Sequence, residues 1–399
     1  FDDVKRVSFK EALNVNKVSY ISDRVYDDFI EEVKKQSLLS DDLAINKDVS
    51  IVYTPLNGTG LKPVLRALKE SGYTNITVVK EQEQPDGYFT TCPYPNPEIK
   101  EAMELGIAYA KKCNADLLLA TDPDCDRVGI AVKNKQGEHV LVTGNEVGML
   151  LLDYICSRRI AMETMPEDPV AVKTIVTIDM AERIAEHYGV KVINVLTGFK
   201  FIGEQIGLLE KRGKEDSYIF GFEESYGYLS GGYVRDKDAV SACSLLAEIC
   251  AWAKDQGKTL YDVLMEIYVE YGFSKETTVN VVKPGKSGAE EIKAMMDNFR
   301  ANPPKEIGGS AVSLIKDYKT LELTDAQGNV SKLDMPETSN VLQYFTVDGT
   351  KISVRPSGTE PKIKFYIEVK GEMGCPKCYT SADAEAEKKV EAVRKSLGI

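Results

Sequence analysis

Short apolar runs alternate with segments of helical periodicity along the first part of the chain. After a helical lead-in at 24–39, strands are predicted at 49–55, 75–82 and 115–123, and helices at 62–72 and 96–114. Strands that alternate with helices favour a parallel sheet covered by helices on both faces.

The same order of elements recurs further along the chain. Strands are predicted at 169–178, 190–198 and 217–225, and helices at 179–189 and 199–213. Each set ends in a loop rich in acidic residues, and the two sets are offset by roughly 100 to 120 residues. We therefore interpret them as a duplicated α/β domain.

From about residue 280 the pattern changes to short strands, several of them in hairpins, with helices predicted at 288–302 and 382–397. The predicted fold class is α/β, with two related α/β domains that have mixed or mostly parallel sheets sandwiched by helices, plus a smaller C-terminal α+β domain. We expect the divisions 1–40 (a leading segment with a linker helix), 41–160, 161–280 and 281–399.

Composition and charge narrow the function. The chain has 399 residues and a formal net charge of −12. Because binding to nucleic acid requires a basic face, we expect no nucleic-acid partner. No run of about 18 apolar residues occurs, so no membrane span is expected. The first residues lack the features of a secretory signal and an initiator Met, which indicates the inside of a longer or processed polypeptide. We expect a cytoplasmic protein.

Eight cysteines are scattered along the chain, mostly in apolar segments, which is typical of reduced thiols in the cytoplasm. Only Cys375 and Cys378 form a C-x-x-C motif. Zinc would need a second pair or histidines nearby, and the only two histidines, His139 and His187, lie far off in sequence. We expect a surface turn between a strand and the last helix, with a redox pair or a shared metal as alternatives.

The stretch ATDPDCDRVG places Asp122, Asp124 and Asp126 at every second position, followed by Arg127. The aspartates follow an apolar strand, and open α/β sheets bind ligands at the carboxyl ends of their strands. In extended backbone a spacing of two points side chains in the same direction. Oxygen ligands of this charge suit hard cations such as Mg²⁺, and the alternative is a solvated acidic turn. An EF-hand would need Gly and Glu where Arg127 and Lys133 stand.

A second acidic loop, GFEESYGYLSGGYVRDKDAV, also follows an apolar strand. Glu223, Glu224 and Ser225 can exchange hydrogen bonds with the hydroxyls of a small polar molecule. Lys237 stands between two acids in RDKD, and the residues alone favour a surface lysine paired with its neighbours over a catalytic one.

A third loop, SVRPSGTEPKIKFY, has the parts of a phosphate cradle. Arg355 offers a fork of donors, Ser357 and Thr359 offer hydroxyls, Gly358 permits exposed backbone N–H groups, and Lys362 adds charge. A long hairpin turn is the alternative, because Pro and Gly are ordinary turn residues.

Seven stretches occur in one order along the chain: TPLNGTG, TCPYPNPE, TDPDCDR, LTGFKFIGE, GFEESYGYL, RDKDAV and RPSGTEPKIKFY. Taken together they resemble the α-D-phosphohexomutase superfamily, in particular its bacterial-type phosphoglucomutases, and are also similar to animal phosphopentomutase-like members. The resemblance covers essentially the whole chain. It implies four domains, three of them related α/β units, of which this chain would hold the second, third and fourth.

The resemblance also implies roles for the residues of the first acidic loop and for one lysine. Asp122, Asp124 and Asp126 match the family's Mg²⁺ loop, and Arg127 matches the arginine beside it. Lys237 matches a lysine proposed as general acid/base in related phosphoglucomutases.

Two further loops match by resemblance the parts that bind substrate. Gly198, Phe199 and Lys200 match the loop that recognises the orientation of the sugar, and Glu223 and Ser225 match the loop that binds its hydroxyls. The loop that grips the phosphate not being transferred is matched by Arg355, Ser357, Gly358, Thr359 and Lys362.

The implied activity is that of an isomerase. A phosphoserine gives its phosphoryl group to a sugar monophosphate, and the bisphosphate turns round and returns its other phosphate, so that glucose 1-phosphate and glucose 6-phosphate interconvert. The family's carrier serine lies in a loop close to T-A-S-H-N-P, which no stretch here supplies. We therefore expect this chain alone to bind Mg²⁺ and a sugar phosphate weakly and without turnover.

Several alternatives stay open. The sugar specificity could be that of a phosphopentomutase, a phosphomannomutase or a glucose-1,6-bisphosphate synthase. A reading from another class is a non-catalytic fragment that binds sugar phosphates. The expected partner is a small-molecule sugar phosphate, and the sequence does not indicate the oligomeric state.

Overall fold

The computed structural model describes residues 4–39, 45–358 and 361–399. Two helices, α1 (Phe9–Asn14) and α2 (Asp23–Lys34), precede the first sheet. Within the described residues, no helix is long and apolar enough to cross a membrane.

Five strands form the first sheet: β1 (Ile51–Thr54), β2 (Ile76–Val78), β3 (Leu117–Thr121), β4 (Val128–Lys133) and β5 (His139–Val142). Their order is β2-β1-β3-β4-β5, with the first three parallel and the last two antiparallel. The accompanying helices are α3 (Leu61–Glu70), α4 (Lys100–Cys113) and α5 (Gly144–Ala161). Ile51 and Tyr53 pack into one apolar cluster and Val52 into another, so both faces of the sheet are covered.

Four strands form the second sheet: β6 (Val170–Thr174), β7 (Lys191–Val195), β8 (Tyr218–Glu223) and β9 (Gly227–Leu229). Its helices are α6 (Met180–His187), α7 (Phe199–Glu210), α8 (Ala239–Asp255) and α9 (Leu260–Tyr271). The order β7-β6-β8-β9 repeats that of the first four strands of the first sheet, including an antiparallel fourth strand. The two predicted α/β units are therefore related in topology.

The third sheet is antiparallel throughout and has the order β10-β17-β16-β15-β12-β13-β14, with β11 paired to β12. Its strands are β10 (Phe273–Val282), β11 (Glu306–Ile307), β12 (Ser310–Asp317), β13 (Glu322–Asp325), β14 (Val330–Lys332), β15 (Leu342–Thr346), β16 (Lys351–Pro356) and β17 (Lys362–Gly371). Helices α10 (Gly285–Ala301) and α11 (Tyr379–Leu397) complete this α+β unit.

The predicted fold class is confirmed, but several elements differ. The antiparallel strands β4, β5 and β9 and the helices α5 and α9 were not predicted, and the antiparallel strands make the first two sheets mixed. The strand predicted at 75–82 ends at Val78, and Lys80–Gln82 forms a 3₁₀ turn. The polar run KEQ lacks the alternation that a half-buried strand shows.

A buried ionic cluster joins the second and third sheets. Lys173 on β6 and Lys351 on β16 both donate to Asp179 Oδ1, at 3.0 and 2.5 Å. Asp179 in turn donates its backbone N–H to Glu368 Oε2 on β17, at 3.0 Å. The side chains of the two lysines are only 2% and 4% exposed. The cluster fixes β16 and β17 against the second sheet, at the end of this strand pair away from the loop that joins them.

The predictions for the cysteines are confirmed only in part. Cys375 and Cys378 are joined by a disulfide bond, so the expectation of reduced thiols is wrong for this pair, while the other six cysteines are free. Their turn, which includes the 3₁₀ segment Pro376–Cys378, lies between β17 and α11, as predicted. The turn brings the two Cα atoms within 5.4 Å, a distance that a disulfide spans.

Candidate functional site

The three aspartates converge because the chain turns sharply between β3 and β4. Asp122 Oδ1 accepts hydrogen bonds from the backbone N–H groups of Asp126 (3.1 Å) and Arg127 (2.9 Å), and Cys125 takes a left-handed φ of 61°. One oxygen each of Asp122, Asp124 and Asp126 lies within 4.8 Å of the others. A hydrogen-bonded turn, and not extended backbone, thus brings the carboxylates together.

Negative charge is in excess at this turn. Burial raises the pKa of Asp122 to about 7, and the carboxylates of Asp126 and Asp124 add to the rise. Asp126 Oδ1 is buried and accepts no hydrogen bond from the part of the chain that the structure describes. Arg127 approaches Asp122 and Asp126 only to 3.8 and 3.7 Å, and it also pairs with Glu98 at 3.0 Å. A carboxylate cluster with an unsatisfied buried oxygen fits a hard cation such as Mg²⁺.

The second acidic loop occupies the equivalent turn of the second sheet, between β8 and β9. Glu223 is the last residue of β8, Gly227 is the first of β9, and Ser225 lies in the turn. The two turns touch, because the Val128 N–H at the start of β4 donates to the Tyr226 carbonyl at 3.1 Å. The repeated topology therefore brings both acidic loops together at one end of the molecule.

Lys237 bridges the two loops. Its Nζ lies 3.0 Å from Asp126 Oδ2, 3.1 Å from Asp236 Oδ1 and 3.9 Å from Glu223 Oε1. The side chain is 11% exposed, and a Cβ on Gly227 would come within 2.2 Å of its Cδ. Burial lowers the pKa of Lys237, but the carboxylates outweigh burial and leave it raised. The expected surface lysine is thus a largely enclosed cation, and Gly227 makes room for it.

Burial disfavours ionisation of the carboxyl groups of the second loop. Burial raises the pKa of Glu223 to about 7, Glu224 adds to the rise, and Lys237 opposes it. Burial also raises the pKa of Glu224, which accepts a hydrogen bond from Thr174 Oγ1 at 3.3 Å. A carboxyl group that keeps its proton can donate a hydrogen bond to a hydroxyl as well as accept one.

A cavity of about 440 Å³ opens between the three sheets. Its lining from the first sheet unit is Asn96, Glu98 and Arg127, and from the second unit it is Thr197, Gly198, Phe199, Glu223, Glu224, Ser225 and Lys237. The third unit contributes Arg355, Lys362, Lys364 and Tyr366. Carboxylates from the first two units thus face cations from the third across one cavity.

The loop after β7 is only partly at this cavity. Gly198 and Phe199 line it, and Gly198 has a φ of 117°, which a residue with a side chain adopts only under strain. Lys200 is exposed and does not line the cavity, and its ammonium lies 4.5 Å from the centre of the Phe201 ring. The structure therefore brings together two of the three residues predicted in this loop.

The basic loop joins β16 and β17. Arg355 and Lys362 line the cavity, and the Ser357 N–H donates to the Lys362 carbonyl at 2.8 Å, which closes the base of the loop. Among the described residues, a Cβ on Gly358 would meet nothing within 4 Å. Thr359 lies outside the described residues.

Sequence reasoning missed several lining residues, among them Glu98, Lys364 and Tyr366. Lys362, Lys364 and Tyr366 alternate along β17 and so share one face, a signal that was readable in PKIKFY. Glu98 orients Arg127 from a loop 29 residues away in sequence, and no local spacing indicates that contact.

Three family models match consecutive parts of the chain. They are the phosphoglucomutase/phosphomannomutase alpha/beta/alpha domain II at 27–137, domain III at 143–271 and the C-terminal domain at 280–373. The chain belongs to the phosphoglucomutase/phosphomannomutase family.

Curated relatives of this chain are named phosphoglucomutases. A phosphoglucomutase of Staphylococcus haemolyticus is 35% identical over 349 residues, which cover 88% of this chain and 62% of that protein. One of Staphylococcus aureus is 38% identical over 330 residues, which cover 82% of this chain and 57% of that protein. The chain thus spans about three fifths of the length of these relatives.

Solved structures share the fold. A putative phosphomannomutase from Thermus thermophilus superposes with a TM-score of 0.60 at 19% identity, over 92% of this chain and 66% of that one. A phosphoglucomutase/phosphomannomutase family protein from Burkholderia thailandensis gives a TM-score of 0.61 at 16% identity, over 94% and 65%. At these identities the likeness concerns the fold alone.

Proposed function

We propose that this chain carries the metal, sugar and phosphate sites of a phosphohexomutase that interconverts glucose 1-phosphate and glucose 6-phosphate. The cavity carries the proposal, because it sets an acidic loop opposite a basic loop, with the aspartate cluster beside it. The relatives named phosphoglucomutase support it. The activity belongs to the parent protein, by which we mean the polypeptide that the gene encodes, and we propose that it works in the cytoplasm.

The two sides of the cavity divide the work of binding. Arg355, Lys362 and Lys364 hold the phosphate that is not transferred, because guanidinium and ammonium groups make charge-assisted hydrogen bonds to phosphate oxygens. Glu223 and Ser225 hold the sugar hydroxyls. Since separate loops hold the phosphate and the hydroxyls, a sugar bisphosphate can be released in one orientation and bound again in the opposite one by the same residues. Ser357, Gly358 and Thr359 complete the phosphate loop in this proposal.

The aspartate cluster and its two cations serve the transfer itself. Asp122, Asp124 and Asp126 would hold Mg²⁺, which when bound neutralises charge on a phosphoryl group in flight. Arg127 lies beside them and is oriented by Glu98. Lys237 is protonated at neutral pH because its carboxylate neighbours raise its pKa, so it can donate a proton to a sugar oxygen and recover it in the reverse step.

Asp124→Asn in the parent protein tests this proposal. With glucose 1-phosphate and Mg²⁺, we expect kcat to fall on the order of 10²-fold or more, since a charged ligand is lost from the centre of the reaction. Asp124 is exposed, so the far-UV circular dichroism should be unchanged. Asp216→Asn, at an exposed site in a 3₁₀ turn, is the matched control and should keep the wild-type rate. A wild-type rate in Asp124→Asn would contradict the metal role.

The choice of sugar needs a second assay. The parent protein should convert glucose 1-phosphate with a higher kcat/KM than mannose 1-phosphate or ribose 1-phosphate. A preference for mannose or ribose would reassign it as a phosphomannomutase or a phosphopentomutase. Net formation of glucose 1,6-bisphosphate would indicate a bisphosphate synthase, and binding without conversion would support the non-catalytic alternative.

A further inference from the structure

The turn between β17 and α11 holds a pair of sulfur atoms outside the cavity described above. Cys375 and Cys378 are disulfide-bonded, and the Cys378 N–H donates to the Cys375 carbonyl at 2.9 Å. The 3₁₀ segment Pro376–Cys378 runs directly into α11. The backbone of this C-P-K-C turn therefore sets the two side chains at bonding distance without help from another segment.

The pair differs from the free cysteines of the chain. Burial raises the pKa of the Cys125, Cys156 and Cys243 thiols, and such thiols react slowly because the thiolate is the nucleophile. Cys375 and Cys378 are half-buried and lie at the start of a 19-residue helix, where the helix dipole favours a thiolate. Access thus sets the pair apart from the buried thiols. Cys113 is also half-buried, but it is the last residue of α4, where the helix dipole does not favour a thiolate.

The surroundings divide the pair into an outer and an inner sulfur. Cys378 packs against the main apolar cluster, whereas Cys375, in the described part of the chain, is not among the residues that pack there. An incoming reagent therefore meets Cys375 first, and Cys378 is placed to react with Cys375 afterwards.

We propose that Cys375 and Cys378 form a reversible dithiol–disulfide couple that exchanges with low-molecular-weight disulfides. A disulfide that closes so short a loop constrains the unfolded chain less than one that closes a long loop, so stabilisation alone explains it poorly. In the cytoplasm a disulfide of this kind is formed and reduced in turn. The couple is independent of the proposed mutase function.

The exchange runs in two steps. The Cys375 thiolate attacks one sulfur of the small disulfide, forms a mixed disulfide and expels one small thiolate. The Cys378 thiolate then attacks the Cys375 sulfur, forms the intramolecular bond and expels the second. Two electrons pass from the cysteines to the small disulfide, and the two cysteine protons end on the two released thiols.

The disulfide lies next to the contact between the second and third sheet units, so its redox state should affect that contact. Tyr379 follows Cys378 directly, and its ring contacts Tyr261 and Tyr268 of α9 at centroid distances of 6.1 and 6.4 Å. It also meets Phe273, the first residue of β10, at 5.9 Å. We therefore expect hydrogen exchange at the start of α11 and in α9 to differ between the reduced and oxidised protein.

A redox titration of the 399-residue chain tests the proposal. The protein is equilibrated with mixtures of reduced and oxidised glutathione, denatured, treated with N-ethylmaleimide and analysed by peptide mass spectrometry. Cys375 and Cys378 should lose their maleimide adducts together as oxidised glutathione rises, and regain them after dithiothreitol. The half-buried Cys113 should keep its adduct at the same ratios.

Two variants separate the roles of the sulfurs. Cys378→Ser should stop at a glutathione adduct on Cys375, and Cys113→Ser, the matched control, should titrate as the wild type does. Maleimide adducts on both cysteines at every ratio, or a bond that dithiothreitol leaves intact, would overturn the proposal. The wild-type titration decides the question even if a serine variant fails to fold.

Discussion

Burial and charge oppose each other at Lys237. Burial alone would favour a neutral amine, but Asp126 at 3.0 Å and Glu223 at 3.9 Å keep the ammonium charged. A lysine in this state can act as a fixed cation or as a proton donor. Those two roles can be separated because arginine supplies the charge but does not exchange its proton.

We predict that both Lys237→Met and Lys237→Arg lower kcat of the parent protein, on the order of 10²- to 10⁴-fold, as expected for loss of a general acid/base. KM for glucose 1-phosphate should change much less, because the phosphate and hydroxyl grips remain. Steady-state kinetics check this. A rate near wild type in Lys237→Arg would show that only the charge matters, and would remove the acid/base role.

Local spacing in the sequence predicted the residues whose partners are local. The aspartate triad and Arg355 lie within short motifs, so their residue types alone indicated a cation site and a phosphate site. The contact of Glu98 with Arg127 depends on the packing of a distant loop, and the exposure of Lys200 depends on the direction in which α7 begins. Local spacing could predict neither. The position of Lys237 likewise depends on the missing side chain of Gly227, which is the first residue of β9.

At the scale of elements, duplication explains how two distant acidic loops meet. The turn from β3 to β4 and the turn from β8 to β9 occupy equivalent places in two sheets of the same order. The alternation of apolar strands and helices predicted the parallel strands of both units. It did not predict β4 and β5, because antiparallel hairpin strands next to a parallel sheet carry no separate helical crossover as a signal.

The segment that follows α2 is tied to α8 by one buried carboxyl group. Glu248 accepts hydrogen bonds from the Leu38 N–H at 2.8 Å, Ser37 Oγ at 2.5 Å and Tyr154 Oη at 3.0 Å. We predict that Glu248→Ala lowers the free energy of unfolding by about 1–3 kcal/mol, because the buried Leu38 N–H loses its acceptor. Urea denaturation measures this, and an unchanged midpoint would contradict it.

The same residue gives a pH dependence of defined sign. Burial raises the pKa of Glu248 above its ordinary value of 4.5 in the folded state. The folded protein therefore holds this proton more tightly than the unfolded chain does, and that contribution is lost as the pH rises through the folded pKa. Relative to Glu248→Gln, the wild type should lose stability from pH 4.5 to neutrality. Urea midpoints that differ by a constant amount across this range would contradict the prediction.

At the scale of the whole molecule, the ionic cluster at Asp179 holds the two strands that carry the basic loop, β16 and β17, against the second sheet. Although burial opposes ionisation, the ammonium groups of Lys173 and Lys351 hold the pKa of Asp179 below its usual range. The cluster thus stabilises the joint while the carboxylate is charged. No local motif predicted it, since its members come from β6, the start of α6, β16 and β17.

We predict that Lys351→Met lowers the free energy of unfolding by about 3 kcal/mol, the low end for breaking a buried ion pair, because Lys173 still compensates Asp179. Lys319→Met, at an exposed position of the same sheet unit, is the matched control and should change stability little. Thermal or urea unfolding followed by circular dichroism checks both variants. Equal stability of the two would mean that the cluster does not hold the sheets together.

The most direct test of the account is a calorimetric titration of the 399-residue chain with glucose 1,6-bisphosphate in the presence of Mg²⁺. We predict saturable binding of one ligand per chain, weakened at least about tenfold by Arg355→Ala with Lys362→Ala, since charge-assisted hydrogen bonds to phosphate are lost. Lys332→Ala, at an exposed position on β14, should bind as the wild type does. An absence of binding, or equal affinity in the wild type and the double variant, would contradict the proposed cavity.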